Sequence, residues 1–257
     1  HIYFNLNQNK LKRNGSEIKE NIPKIKIIID SKVKSIKSLF HNNRDICKMN
    51  FIKFNREDIN DMSNMFNGCS SLKELNFNNF NTSNVTNMSY MFKGCSSLER
   101  LNLNKFNTIN VTNMCEMFCS CSSLKELNLN NFNTNNVTNM SYMFYGCTSL
   151  KELNINNFNT NDVTNMSFMF YECRLLKELN LNSFNTNKVT NMNSMFSRCY
   201  SLKELSVYTF NTINVTNMRD MFMGCYSLNE LNINNFNLSN VTDMKGMFYR
   251  CSEYLKR

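Results

Sequence analysis

Met-Phe recurs at residues 65, 91, 117, 143, 169, 195, 221 and 247, with the same gap of 26 residues each time. A chain that repeats without slippage at such a period folds as a stack of equivalent coils, because each unit buries its apolar side only against its neighbours. Cysteine keeps the same step at Cys69, Cys95, Cys121, Cys147, Cys173, Cys199, Cys225 and Cys251. One elongated domain is expected, although 257 residues would also suffice for one or two ordinary globular domains.

The coil at residues 85–106 shows how the unit folds. Val85, Met88, Met91, Phe92 and Cys95 fall three or four apart, the spacing of one helix face, which predicts a short helix over about residues 87–95. Thr86 or Asn87 suits its first turn and Gly94 its exit. Leu98, Leu101, Leu103 and Phe106 follow with the period falling to two, which predicts a strand with Leu101 and Leu103 inward and Asn102 and Asn104 outward. The fold class expected is an α/β repeat solenoid with one short parallel strand and one short helix per coil. Nine of the 26 positions are apolar. Burying them is worth less than ordering the coil costs, so stability has to come from stacking and from hydrogen bonds between coils.

The register can be followed backward from Phe77 and Phe80 to Phe51 and Phe54, and then to Ile25 and Ile28, so nine strands are expected. At about 4.8 Å per strand the face would be about 40 Å long. Residues 1–24 lack the register and are assigned to an amino-terminal cap or linker; residues 25–257 form the solenoid, with the first two coils degenerate. Val241, Met244, Met247 and Phe248 are expected on a final coil with no obvious lid, an end that is either cut or joined to more chain. The chain begins with His and shows no leader pattern, so an internal fragment of a longer protein is expected.

The repeated pattern L-x-x-L-x-L-x-x-F, N-T-x-x-V-T-N-M, M-F and G-C-x-S, as in residues 122–147, resembles the BspA-like leucine-rich-repeat proteins. The resemblance covers about residues 25–251. It implies a leucine-rich-repeat solenoid used for protein binding, in a family of bacterial cell-surface lipoproteins and adhesins with large sets in anaerobic protists.

Charge narrows the partners. Of the net charge of +9, residues 1–50 hold +7, with eleven basic against four acidic side chains, so the repeats are almost neutral. A nucleic acid or anionic membrane would have to use Lys10, Lys12, Arg13, Lys24, Lys26, Lys32, Lys34 and Lys37, and a solvated basic cap explains those residues as well. No run of about 20 apolar residues is present, so no membrane span is expected.

The cysteine column reads as small buried apolar residues with reduced thiols, because a uniform repeat cannot pinch alternate coils into disulfide geometry. Reduced thiols favour a reducing compartment, against the family's surface address. Cys115 and Cys119 depart from the repeat and are expected as surface thiols open to oxidation; the two histidines lie elsewhere, so no metal or cofactor is expected. The Thr86 column and the Asn-Val-Thr triplets at 84, 110, 136, 214 and 240 are explained by turn formation, ahead of ice binding or glycosylation. No cluster of polar residues breaks the repeat together, so no enzyme is expected.

The expected function is a non-catalytic interaction with a protein ligand. The address is the cell surface or the exterior by resemblance, with a cytoplasmic scaffold as the alternative. Tyr208 interrupts the column of Asn130, Asn156, Asn182 and Asn234, and these five are the candidate partner-binding residues. Tyr145, Tyr171 and Tyr249 share a competing column on the other side.

Overall fold

A computed structural model describes residues 2–6, 25–27, 33–51, 54, 56–77 and 80–256. Along each coil the Leu-rich stretch is extended, with leucines inward and Glu or Asn outward. Its strands are β3 (Ile46–Phe51), β4 (Glu74–Phe77), β5 (Arg100–Leu101), β6 (Glu126–Leu127), β7 (Glu178–Leu179) and β8 (Glu204–Leu205). They pair in parallel two by two at the 26-residue step, Phe51 with Phe77, Leu101 with Leu127 and Leu179 with Leu205, and an isolated bridge joins Asn128 to Asn154, so the strand side is a series of short sheets. A second parallel ladder climbs another side of the stack through single bridges from Asp61 by Asn87, Asn113, Asn139, Asn165, Asn191 and Asn217 to Asp243.

The expected helix does not form. Residues 88–95 are a run of turns in which amide groups alternate between two kinds of partner. Met91, Lys93 and Cys95 donate within the coil to the carbonyls of Met88, Tyr90 and Phe92, three residues back. Tyr90, Phe92 and Gly94 donate instead to Cys115, Met117 and Cys119 of the next coil. Tyr90 and Gly94 have φ of 60° and 69°, a left-handed conformation that a right-handed helix excludes. The spacing misled because an apolar residue every three or four positions also fits consecutive turns. A helix is about 10 Å across, whereas coils held by β-ladders on two sides rise only about 4.8 Å each. Among the described residues the only helical element is a 3-10 turn at Glu253–Lys256.

The core is one layer between the strand side and the turn side. Rings of Phe40, Phe66, Phe92, Phe118, Phe144, Phe170, Phe196, Phe222 and Phe248 stack in a continuous file at 5.6–5.8 Å. Across the layer Phe66 meets Phe77 of β4 edge-on at 6.0 Å. Thr82, Thr108, Thr134, Thr160, Thr186 and Thr212 are buried polar residues of one column. From Thr82 to Thr186 each hydroxyl serves the next coil twice, as where Thr134 Oγ1 donates to the carbonyl of Asn159 and accepts from its amide, both at 2.8 Å. Thr212 Oγ1 only donates, to the carbonyl of Asn237 at 2.9 Å.

The first strand column differs from expectation. β1 (Ile2–Leu6) pairs antiparallel with β3 on one side and with β2 (Ile25–Ile27) on the other, so the Ile25 stretch is separated from Phe51 by a strand. Most of the expected cap, residues 7–24, lies outside the described residues, as does Ile28. On the turn side the register does reach back one further coil, where Ser35 bridges Asp61 and Ile36 and Phe40 are buried. At the other end Met244 and Leu238 are 46% and 44% exposed, and residues 231–233 form no ladder. Parallel strand or bridge residues therefore occur in seven coils among the described residues, where nine were expected, and their pairing is interrupted between β4 and β5 and before β7.

Candidate functional site

Two outer surfaces carry the departures from the repeat. On the strand side, Asn130, Asn156, Asn182 and Asn234 are exposed and share a column with Tyr208, which is 64% exposed. They sit at the corner after the strand, not along it: the amide of Phe132 closes a turn on Leu129, and that of Phe210 on Val207. The corner is held by amide side chains. Asn128 Oδ1 accepts the amide of Asn130 at 2.9 Å, and Asn157 Nδ2 donates to the carbonyl of Phe132 at 2.7 Å. In the Tyr208 coil Ser206 and Thr209 replace both kinds of clamp, and Thr209 Oγ1 is buried without a hydrogen-bond partner. The corner under the ring is nevertheless clamped from the next coil, where Asn235 Nδ2 donates to the carbonyls of Tyr208 at 3.1 Å and Phe210 at 2.7 Å.

Charges line the same side in two columns. One runs Lys48, Glu74, Arg100, Glu126, Glu152, Glu178, Glu204, Glu230; the other runs Lys73, Glu99, Lys125, Lys151, Lys177, Lys203. Ion pairs join Lys48 to Glu74 at 2.6 Å, Lys125 to Glu99 at 2.7 Å and Arg100 to Glu126 at 3.3 Å. The hydrogen bond from Lys125 holds the Glu99 carboxyl below the usual range. A shallow groove of about 650 Å³ bordered by Lys125, Glu126, Lys151, Glu152 and Leu175 opens where the pairing stops.

On the turn side, half-buried rings meet. Tyr142 stacks on Phe168 at 4.5 Å and Tyr145 on Tyr171 at 4.7 Å, while Phe168 and Tyr171 lie 5.6 Å apart. Glu172 ties Arg198 at 2.7 Å and Arg174 at 3.0 Å, and the two guanidinium groups lie over Tyr171 and Tyr200 at 5.5 and 5.7 Å. Lys93 pairs with Glu116 at the opposite edge. Burial lowers the Lys93 pKa, but the Glu116 carboxylate outweighs it and the net shift is upward. Burial likewise raises the Tyr142, Tyr145 and Tyr171 phenols. Tyr145 and Tyr171 were legible as a column; their union with Tyr142, Phe168 and Arg198 was not. Tyr249, at 57% exposure, lies in that column but away from the cluster.

All eight cysteines of the ladder are buried, and Cys69, Cys95, Cys121, Cys147, Cys173, Cys199 and Cys225 form no disulfide. Each thiol donates to the Phe carbonyl of the preceding coil, as in Cys95 to Phe66 at 3.3 Å and Cys199 to Phe170 at 3.1 Å. That bond selects a small side chain with a weak donor. Burial pushes Cys69 and Cys199 up to about 12. Cys115 and Cys119 are not surface thiols: they are 8% and 4% exposed, near the hydroxyls of Ser141 and Ser120. They fill space that serine and larger residues fill in other coils. No three His, Cys, Asp or Glu side chains are grouped to hold a metal among the described residues. Nor is any described helix long and apolar enough to cross a membrane.

The sequence profile of a family described as "Mycoplasma protein of unknown function, DUF285" matches residues 11–104, 34–152, 97–204 and 176–257, nearly the whole chain. The chain belongs to that family. Its likeness to BspA-like leucine-rich repeats, drawn above from the repeat residues, stands with it. Among solved structures it is similar to a leucine-rich-repeat protein from Bacteroides ovatus, at 19% identity and a TM-score of 0.46 over 76% of this chain and 51% of that one. A leucine-rich-repeat protein from Eubacterium ventriosum is similar at 15% identity, TM-score 0.42, over 76% and 57%, and one from T. pallidum at 16%, 0.35, over 76% and 70%. The chain thus spans about half the length of the Bacteroides protein. No curated protein sequence matches it.

Proposed function

We propose that this DUF285 chain is a non-catalytic protein-interaction module whose stacked core presents a recognition patch on the turn side. The observation that carries this reading is the cluster of Tyr142, Tyr145, Phe168 and Tyr171 beside Arg198 and Arg174, in a molecule whose core columns barely vary. Rings and arginines already held by stacking and ion pairs lose little freedom on docking, and they are the residue types that anchor interfaces. Tyr208, with Asn130, Asn156, Asn182 and Asn234, is a second surface of lower ring density.

The finer reading is a cell-surface or secreted recognition and adhesion role, supported by the family resemblance; a cytoplasmic scaffold is the alternative. Free thiols argue little against an exterior address here. The thiolate is the species that oxidises, and a buried thiol with a raised pKa supplies almost none of it.

The full chain, a triple variant Tyr145→Ala/Tyr171→Ala/Arg198→Ala and a Tyr208→Ala variant are to be compared on panels of purified extracellular and cytoplasmic proteins. A ligand should be held by the full chain and by Tyr208→Ala, and weakened at least about tenfold by the triple variant. The panel that supplies the ligand decides the address. Ligands that the triple variant holds as well as the full chain does would remove the patch from the function.

A further inference from the structure

The two halves of the strand face handle charge in opposite ways. From Lys48 to Glu126 in one column, and from Lys73 to Lys125 in the other, the sign alternates from coil to coil, and cross-coil ion pairs follow. Beyond Lys125 the alternation stops. Lys125, Lys151, Lys177 and Lys203 succeed one another in one exposed column, and Glu126, Glu152, Glu178, Glu204 and Glu230 in the other. Among the described residues no ion pair is made by Lys151, Lys177, Lys203, Glu152, Glu178, Glu204 or Glu230. Like charges one coil apart repel. The half that is not neutralised from within is open to neutralisation from outside.

We propose that the strand face from Lys125 to Glu230 is a self-association surface, on which a second copy of this chain docks with its lysine column against the first copy's glutamate column. A partner can match whole columns only if it repeats charge at the coil step of about 4.8 Å, and a second copy does so by construction of its own repeat. The turn-side bridges run unbroken from Asp61 to Asp243 and no helix among the described residues wedges the coils apart, so the strand face, itself paired at β5–β6, at Asn128–Asn154 and at β7–β8, climbs by the same step from coil to coil. A two-fold axis parallel to the stack turns this face onto itself with left and right exchanged, so Lys151, Lys177 and Lys203 meet Glu152, Glu178 and Glu204. A two-fold axis across the stack would set lysine on lysine. The copies therefore run in the same direction, and the arrangement is closed and isologous.

The rims of the face fit the same pairing. Leu175, 43% exposed, precedes the strand of its coil, and Tyr208, 64% exposed, follows the strand one coil on. Exchange of left and right carries Tyr208 of one copy to the rim where Leu175 of the other lies. Five coils of about 4.8 Å and a strand run of about 20 Å give roughly 480 Å² per copy. That lies in the range of weak, transient complexes, so the dimer is expected to be salt-sensitive and in exchange with monomer.

Sedimentation of the full chain tests the proposal. At about 20 mM salt and about 100 μM protein the mass should move toward the dimer, and about 0.5 M salt should return it to monomer. The triple variants Lys151→Glu/Lys177→Glu/Lys203→Glu and Glu152→Lys/Glu178→Lys/Glu204→Lys should each be monomeric at low salt, with melting curves showing that both are folded. Mixing the two in equal amounts should restore a dimer that contains one of each. A wild-type chain that stays monomeric at low salt, single-sign variants that still self-associate, or a mixture that stays monomeric would each overturn it. Tyr145→Ala/Tyr171→Ala/Arg198→Ala should leave the dimer intact, so failure here and failure of the ligand patch are separate results.

Discussion

On the strand side Lys125 and Lys203 donate their amides straight back to Glu99 and Lys177, as in any parallel ladder. On the turn side Tyr90, Phe92 and Gly94 reach forward to the next coil while Met91, Lys93 and Cys95 close turns within their own. Both sides climb by one coil step, yet they constrain sequence differently. A strand asks only that alternate residues be apolar, which leaves its outer columns free to drift in charge. The turn side asks for left-handed backbone at two columns and a small thiol beneath, and its outer column holds bulky Tyr142 and Phe168 at φ of 57° and 58°. Large side chains other than Asn, Asp or Gly are costly there. That cost is borne at Tyr142 and Phe168, whose rings stack, and also at Tyr90, Glu116, Glu172, Arg198 and Arg250.

The comparison breaks first at high pH. Burial raises the thiols of the turn-side ladder from an ordinary 9.0, to about 12 at Cys69 and Cys199 and upward at Cys95, Cys121, Cys147, Cys173 and Cys225. Below pH 9 the thiols are protonated folded or unfolded, and their contribution is fully present. As pH rises from 9 toward 12 the unfolded chain ionises and the folded one does not, so stability is lost. At pH 10 the loss is about 1.4 kcal/mol per thiol. Thermal melts should collapse across that window and recover on return to pH 7. The variant Cys147→Ala/Cys173→Ala/Cys199→Ala should show a shallower decline, and an equally steep one would take the ladder out of the account.

Truncation across the core gives the next effect. Phe144→Ala empties one place in the stacked file and should cost about 3–5 kcal/mol, whereas Leu153→Ala on the strand side should cost about 2–4 kcal/mol. Phe144 is completely buried and Leu153 is 7% exposed at the edge of the layer. Denaturant midpoints at unchanged slope would measure both, and a larger loss at Leu153 would reverse the assignment of the stronger side. The smallest effect is electrostatic. Lys177→Glu restores alternation between Lys151 and Lys203, and should stabilise the monomer by about 0.2–1 kcal/mol at low salt and by nothing measurable at about 0.5 M. A destabilisation at low salt would mean that the lysine column is not under repulsion.

Much of this was legible beforehand because a period of 26 transmits every local choice to every coil. The inward leucines, the Phe file, the buried Cys ladder and the parallel register from Phe51 to Phe77 all follow from columns of like residues. The turns of residues 88–95 were not legible as turns, since a spacing of three and four is shared with a helix. The column of Gly68, Gly94, Gly146 and Gly224 was the available signal, because it marks left-handed backbone in every such coil and not a single helix exit. The burial of Cys115 and Cys119 was hidden too, because their columns hold polar or variable residues in other coils.

What the sequence determined alone is the coil and its repetition: which residues face inward, and that each must lie one step above its equivalent, since no coil buries enough apolar surface by itself. What only the tertiary structure decided is how residues far apart in the chain share an outer surface. Whether Tyr142 meets Phe168, whether Arg198 lies over Tyr171, and whether β1 comes between Ile25 and Phe51 depend on hydrogen bonds between coils, and a one-dimensional period carries no record of which amide turns inward and which reaches across.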